Sequence, residues 1–301
     1  MTLRAIFRAT DGRLHAPWRI AVFLVTGFVL FVAFAIVMAW PLRWIERVVG
    51  LAATANAIAA TLAILGAHVV MLRWVDRRPW SYAWMGRGAA DLQVISGGFA
   101  LGAIPVAAAS AALLGLGWLS VVTGSPGSWW TAALQVTLLL AVAALFEELL
   151  SRGYLLAALA DWMGMPAAVA ITSLGFGLLH LGNPGVTAQP IALVTLAGVF
   201  LAGVLLATKS LYAAWAAHLA WNWVMAVPMH VAVSGVALPL PGYAIVDSGP
   251  DWATGGPWGP EGGAFAGVAM LAMLGVLGVR TRRAARSTPA PHLTPIPQHG
   301  D

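Results

Sequence analysis

Apolar residues in this chain come in long unbroken runs, not in the one-sided stripe of a surface helix or the alternation of a half-buried strand. A helix needs about 20 such residues to cross the hydrocarbon core of a bilayer. Eight runs meet that need, at 19–40, 50–72, 92–118, 129–151, 166–182, 189–208, 211–232 and 263–280, the fourth extending as helix to 160. Trp18 and Trp40 bracket the first run, where interfacial aromatics belong. Its length exceeds the 7–15 residues of a signal-peptide core, so it reads as an uncleaved anchor. Two stretches break the pattern. Residues 235–262 are rich in Gly and Pro and read as a loop, either lying over one face or simply solvated. The tail beyond Arg286 carries Pro289, Pro291, Pro295 and Pro297 and reads as disordered.

Composition agrees with the pattern. Of 301 residues 60% are hydrophobic and 9% charged, and the mean hydropathy is +0.84; a soluble domain carries roughly 25% charged residues. The net charge of +5 raises nucleic acid as a partner. The cationic residues, however, sit beside the apolar runs, as they do when they orient a membrane protein. Nucleic acid is therefore not expected, and the lipid bilayer is. There are no cysteines, which removes disulfides, thiol nucleophiles and cysteine-ligated zinc.

Charge also gives an orientation. Arg4, Arg8, Arg13 and Arg19 precede the first run, Arg73, Arg77, Arg78 and Arg87 lie between the second and third, Lys209 follows the sixth, and Arg280, Arg282, Arg283 and Arg286 follow the last. Eight crossings place all of these on one side, with both termini cytoplasmic. The 235–262 loop, with Asp247, Asp251 and Glu261 and no Lys or Arg, suits the other side. Arg43 and Arg47 dissent, since they fall in the first external loop.

In so apolar a chain the ionisable groups within the runs carry the functional signal, because each charge at the centre of a membrane helix costs on the order of 2.5–3.5 kcal/mol. The fourth run holds Glu147, Glu148 and Arg152. Glu148 and Arg152 are four apart and share a helix face, which allows an internal ion pair. Glu147 is turned about 100° away and is free to point elsewhere. The fifth run holds Phe176 and His180, and the seventh holds His218 and Asn222, each pair one helical turn apart. Counted from the tight turn near 161–164, Glu147 and His180 are each roughly 20–24 Å along their helices, and His218 and Asn222 are roughly 12–18 Å in from Ser210. The groups can meet at one level. His68 and His230 read as helix-to-helix hydrogen-bonding groups, and Gly98 with Gly102 as a small-xxx-small packing motif.

Taken together, Glu147-Glu148…Arg152, Phe176…His180 and His218…Asn222 resemble the CPBP intramembrane protease family, the CAAX-protease and bacteriocin-processing group also called ABI. Its pattern is E-E-x-x-x-R, F-x-x-x-H and H-x-x-x-N or D on separate membrane helices, and the resemblance covers residues 129–232. With the run count, it implies an all-α integral membrane protein, a bundle of about eight transmembrane helices around a conical intramembrane active-site cavity. The expected layout is three spans over 1–128, a catalytic core over 129–232, an external loop over 233–262, a last span over 263–283 and a cytoplasmic tail over 284–301. The expected location is a bacterial plasma membrane.

The resemblance implies hydrolysis of a peptide bond in a membrane-anchored protein or peptide, and the residue types suit that chemistry. Glu147 is expected to act as general base on water, with His180 orienting the same water. His218 and Asn222 are expected to donate to the oxyanion, and Arg152 to hold Glu148; the two glutamates are interchangeable at this stage. No cofactor is required. A rival arrangement uses Glu147, His180 and His218 as zinc ligands with Glu148 as base. A non-catalytic scaffold or immunity protein is the alternative from another class.

Overall fold

The computed structural model describes residue 7 and residues 13–37, 39–49, 52–238 and 240–287. The expectations for Arg4 and Arg8, and for the tail from residue 288 onward, lie outside these residues. Each apolar run carries a helix, because a chain surrounded by hydrocarbon must satisfy its backbone polar groups internally. The order is α1 (Ala16–Val37), α2 (Ala39–Val49), α3 (Ala52–Val69), α4 (Leu92–Gly115), β1 (Leu119–Thr123), α5 (Trp129–Arg152), α6 (Tyr154–Met163), α7 (Met165–Leu178), α8 (Ala188–Thr208), α9 (Leu211–Ala226), β2 (Tyr243–Asp247) and α10 (Ala264–Ser287). Among the described residues five helices are long and apolar enough to cross a membrane, while Met165–Leu178 and Ala264–Arg280 are shorter apolar helices. Length alone therefore supports fewer crossings than the eight expected.

Helix ends follow local chemistry. Asp91 caps α4 by accepting from the backbone N–H groups of Gln93 and Val94, and Ser210 caps α9 through Ala213. Lys209, at a left-handed φ of 56°, closes α8. The fifth run is corrected most. Helix α7 has 14 residues, about 21 Å of rise, and it stops before His180. The third helix passes directly into a π-helical segment, Val70–Val75.

Gly153 separates α5 from α6. The freed N–H of Tyr154 donates to His68 Nε2 at 3.0 Å, and His68 Nδ1 donates to the Ile64 carbonyl. A Cβ on Gly153 would collide with that imidazole. His68 thus completes the backbone at a helix break, in keeping with its expected structural role.

Helices α4 and α9 pack backbone against backbone. Cβ atoms on Gly98 and Gly102 would run into the backbone of Ala213 and Ala217 respectively, so the small-residue motif is a close-contact seam. Since α9 carries His218 and Asn222, the seam also sets the level of the site. Gly102→Val is expected to cost at least about 1–3 kcal/mol through overpacking, read as a lowered melting midpoint in detergent.

Polar contacts gather the connections at two ends of the bundle. At one end Arg19 donates to Asp76 (2.8 Å) and Tyr82 (2.6 Å), Tyr82 donates to Asp161 (2.7 Å), and Ser210 donates to the Ala89 carbonyl (2.6 Å). Burial, reinforced by the bond to Asp161, raises the Tyr82 phenol above its ordinary pKa. At the other end β1 and β2 pair antiparallel, Leu119 opposite Asp247 and Thr123 opposite Tyr243. This two-stranded sheet is a small addition to the mostly helical fold that was expected. It also decides between the two readings of 235–262. The segment is an ordered cap in which Trp258 is fully buried and Gln189 holds the Trp252 and Gly262 carbonyls. His230 belongs to the cap, accepting from Trp129 Nε1 and donating to the Tyr243 carbonyl.

Candidate active site

The site is built where α5, α7 and α9 converge. Glu148 and Arg152, one turn apart on α5, form the expected ion pair at 2.9 Å with both side chains 0% exposed. A second contact could not be read from spacing: the same oxygen, Glu148 Oε1, accepts from His218 Nδ1 at 2.9 Å. Glu148 therefore ties α5 to α9 while neutralised by Arg152. The guanidinium is held further by the Gly198 carbonyl at 3.2 Å and lies 4.2 Å from the centre of the Phe176 ring, a cation–π contact. Phe176 in turn touches both histidine rings, His180 at 5.1 Å and His218 at 5.7 Å between centroids.

Glu147 has a different environment, as its rotation from Glu148 demands. Its side chain is 25% exposed, and Oε2 lies 3.8 Å from His218 Nε2. That oxygen is enclosed and makes no hydrogen bond. Its neighbour is thus the free ring nitrogen of a histidine whose other nitrogen is already committed to Glu148.

His180 sits past the last residue of α7, in the turn that follows, correcting its expected place on the helix face. Its N–H bonds to the Gly177 carbonyl and its Nδ1 donates to the Phe176 carbonyl at 2.8 Å. The tautomer that results presents Nε2 as an acceptor. His180, His218 and Asn222 line one narrow cavity. The two glutamates lie beside it and not in its wall.

Two expectations change. His218 cannot serve as an oxyanion donor when neutral, because its one ring proton points at Glu148 and Nε2 is left as a lone pair. Nor do the zinc ligands converge. Among the described residues no three His, Cys, Asp or Glu side chains come together as a metal site, so Glu147, His180 and His218 do not form the donor set zinc needs. Sequence reasoning also missed Glu261, which lines the cavity from the cap. Its only signal was to be one of three carboxylates, with Asp247 and Asp251, in a loop without Lys or Arg.

A mostly helical chain with helices long and apolar enough to cross a bilayer is the description of an integral membrane protein. Residues 128–224 match the family model described as "Type II CAAX prenyl endopeptidase Rce1-like". The matched segment runs from the N-terminus of α5 to the last turn of α9 and contains all three motifs that resemble the CAAX-protease family. No curated protein and no solved structure matches the chain.

Proposed function

We propose that the protein is an intramembrane endopeptidase that hydrolyses a peptide bond of a membrane-anchored protein or peptide. The observation that carries this reading is the enclosed, unpartnered Glu147 Oε2 at 3.8 Å from His218 Nε2. A water admitted to Glu147 Oε2 would lie within hydrogen-bond reach of a base, with His218 Nε2 next to that base as the proton carrier. Glu147 takes a proton as the water oxygen attacks the carbonyl carbon, while His180 Nε2 accepts the second O–H and fixes the lone-pair direction. Asn222 donates to the oxyanion. The C–N bond then breaks as the proton passes from Glu147, by way of His218 Nε2, to the leaving amine, giving one carboxylate and one amine product. Glu148, fixed by Arg152, is a positioning residue that sets the His218 tautomer.

A plasma-membrane location with cytoplasmic termini belongs to the same proposal. It is supported by the Arg-rich flanks and by the gathering of alternate connections at opposite ends of the bundle. The test is cleavage of a library of membrane-anchored peptides in liposomes by wild type, Glu147→Ala and His180→Ala. Cleavage by wild type alone supports the reading; folded wild-type protein that cleaves nothing in the library moves the assignment to a scaffold or immunity role. Since no step uses a metal, dialysis against a strong chelator is expected to leave the wild-type rate unchanged, and a loss restored by added zinc would overturn the mechanism.

A further inference from the structure

The cap contributes a buried acidic side chain to the active-site cavity. Glu261 is 7% exposed and lines the same space as His180, His218 and Asn222. One carboxylate oxygen accepts from Ser234 Oγ. The backbone on either side of Glu261 is pinned: Gly235 N–H donates to the Trp258 carbonyl at 2.9 Å, and Gln189 donates to the Gly262 carbonyl at 2.8 Å. Among the described residues no Lys, Arg or His forms an ion pair with it. The contrast with Glu148, likewise buried but matched by Arg152, is the informative one. A buried carboxylate without a cation is costly unless a ligand supplies one.

The surroundings say what kind of cation fits. Apart from Glu261, Ser234, Asn222 and the two histidines the cavity wall is apolar, with Leu193, Ala197, Phe200 and Trp221 among its residues. A long aliphatic stem ending in a charged head suits both parts, the stem along the wall and the head on the carboxylate. The segments nearest the cap, 119–128, 179–190 and 235–262, contain Asp247, Asp251 and Glu261 and no Lys or Arg, while Arg43 and Arg47 lie in the first loop on the same side, so any bias of the approach toward cations is confined to the cap itself.

We propose that Glu261 forms a specificity subsite for a Lys or Arg side chain of the substrate, close to the scissile bond. The proposal rests on the peptidase reading above and adds the substrate class to it. Glu261 is a binding residue, distinct from the carboxylates beside His218.

The experiment compares membrane-anchored peptides that carry Lys or its uncharged isostere norleucine at each position around the cut. Wild type is expected to prefer Lys at one position by at least about tenfold in kcat/KM, which is about 1.4 kcal/mol. Glu261→Gln, which keeps an oxygen for Ser234, is expected to bring the Lys-to-norleucine ratio close to one. Glu261→Lys is expected to favour a Glu-containing peptide at the same position. A ratio that survives Glu261→Gln, or a loss that falls equally on both peptides, overturns the subsite and assigns Glu261 to anchoring the cap.

Binding of the fluorescent Lys and norleucine peptides to Glu147→Gln, with and without Glu261→Gln, separates this failure from that of the peptidase reading. A tenfold weaker Kd for the Lys peptide on loss of Glu261, with no cleavage by wild type, keeps the subsite and overturns the peptidase. Cleavage without any charge preference does the reverse. Equal Kd values for the two peptides, with no cleavage by wild type, overturn both.

Discussion

Replacing Glu147 by Gln is expected to slow cleavage by about 10²–10⁴-fold, the usual contribution of a positioned general base, while the melting midpoint in detergent stays close to that of wild type. The two halves of this expectation have separate causes. Glu147 Oε2 makes no hydrogen bond and its side chain is partly exposed, so the isosteric amide removes little that holds the fold. What it removes is the basic oxygen that faces His218. Glu148→Gln should behave differently, because Oε1 of that residue serves Arg152 and His218 at once. It should lower stability and rate together. The paired measurement, kcat/KM in liposomes beside thermal melting, distinguishes the two glutamates. Wild-type activity in Glu147→Gln would sink the proposed base, and unchanged melting in Glu148→Gln would undo the positioning role.

Arg152→Ala is expected to destabilise the protein by about 3–5 kcal/mol, the cost of leaving a buried charge without its partner. The guanidinium is fully buried. Its loss strands Glu148, frees the Gly198 carbonyl and removes the cation from beneath Phe176. Since Phe176 touches both histidine rings, activity should fall along with stability. The double variant Glu148→Gln with Arg152→Met is expected to recover much of the lost stability, because neither member of the pair then remains as an isolated charge. The readout is chemical or thermal unfolding of the four proteins of the cycle. An Arg152→Ala protein that melts with wild type would overturn the stabilising role of the pair.

The helical character of this chain was legible because it is a local property. Runs of about 20 apolar residues leave a backbone in hydrocarbon no alternative to the helix. The Glu148–Arg152 pair follows from helix periodicity alone, as does the common face of His218 and Asn222. The Gly98–Gly102 seam was equally plain, since two small residues four apart mark a face that another helix can approach. Where the chain continued past a helix end, the reading failed. His180 lies in the turn after a 14-residue helix, and a run of apolar residues does not reveal where hydrogen bonding changes from helix to turn.

Several features were decided by the tertiary structure alone. The β1–β2 sheet joins residues more than a hundred positions apart, as Leu119 opposite Asp247 illustrates. His68 meets the break at Gly153 from another helix, Glu148 meets His218 across 70 positions, and Glu261 enters the cavity from the cap. Each of these is a pairing of a single polar atom with a distant one. Such pairings leave no periodicity in the chain, so hydrophobic patterning determined which segments would be helices and which residues were too costly to be idle. Only the packing of those helices determined which buried atom each costly residue would face.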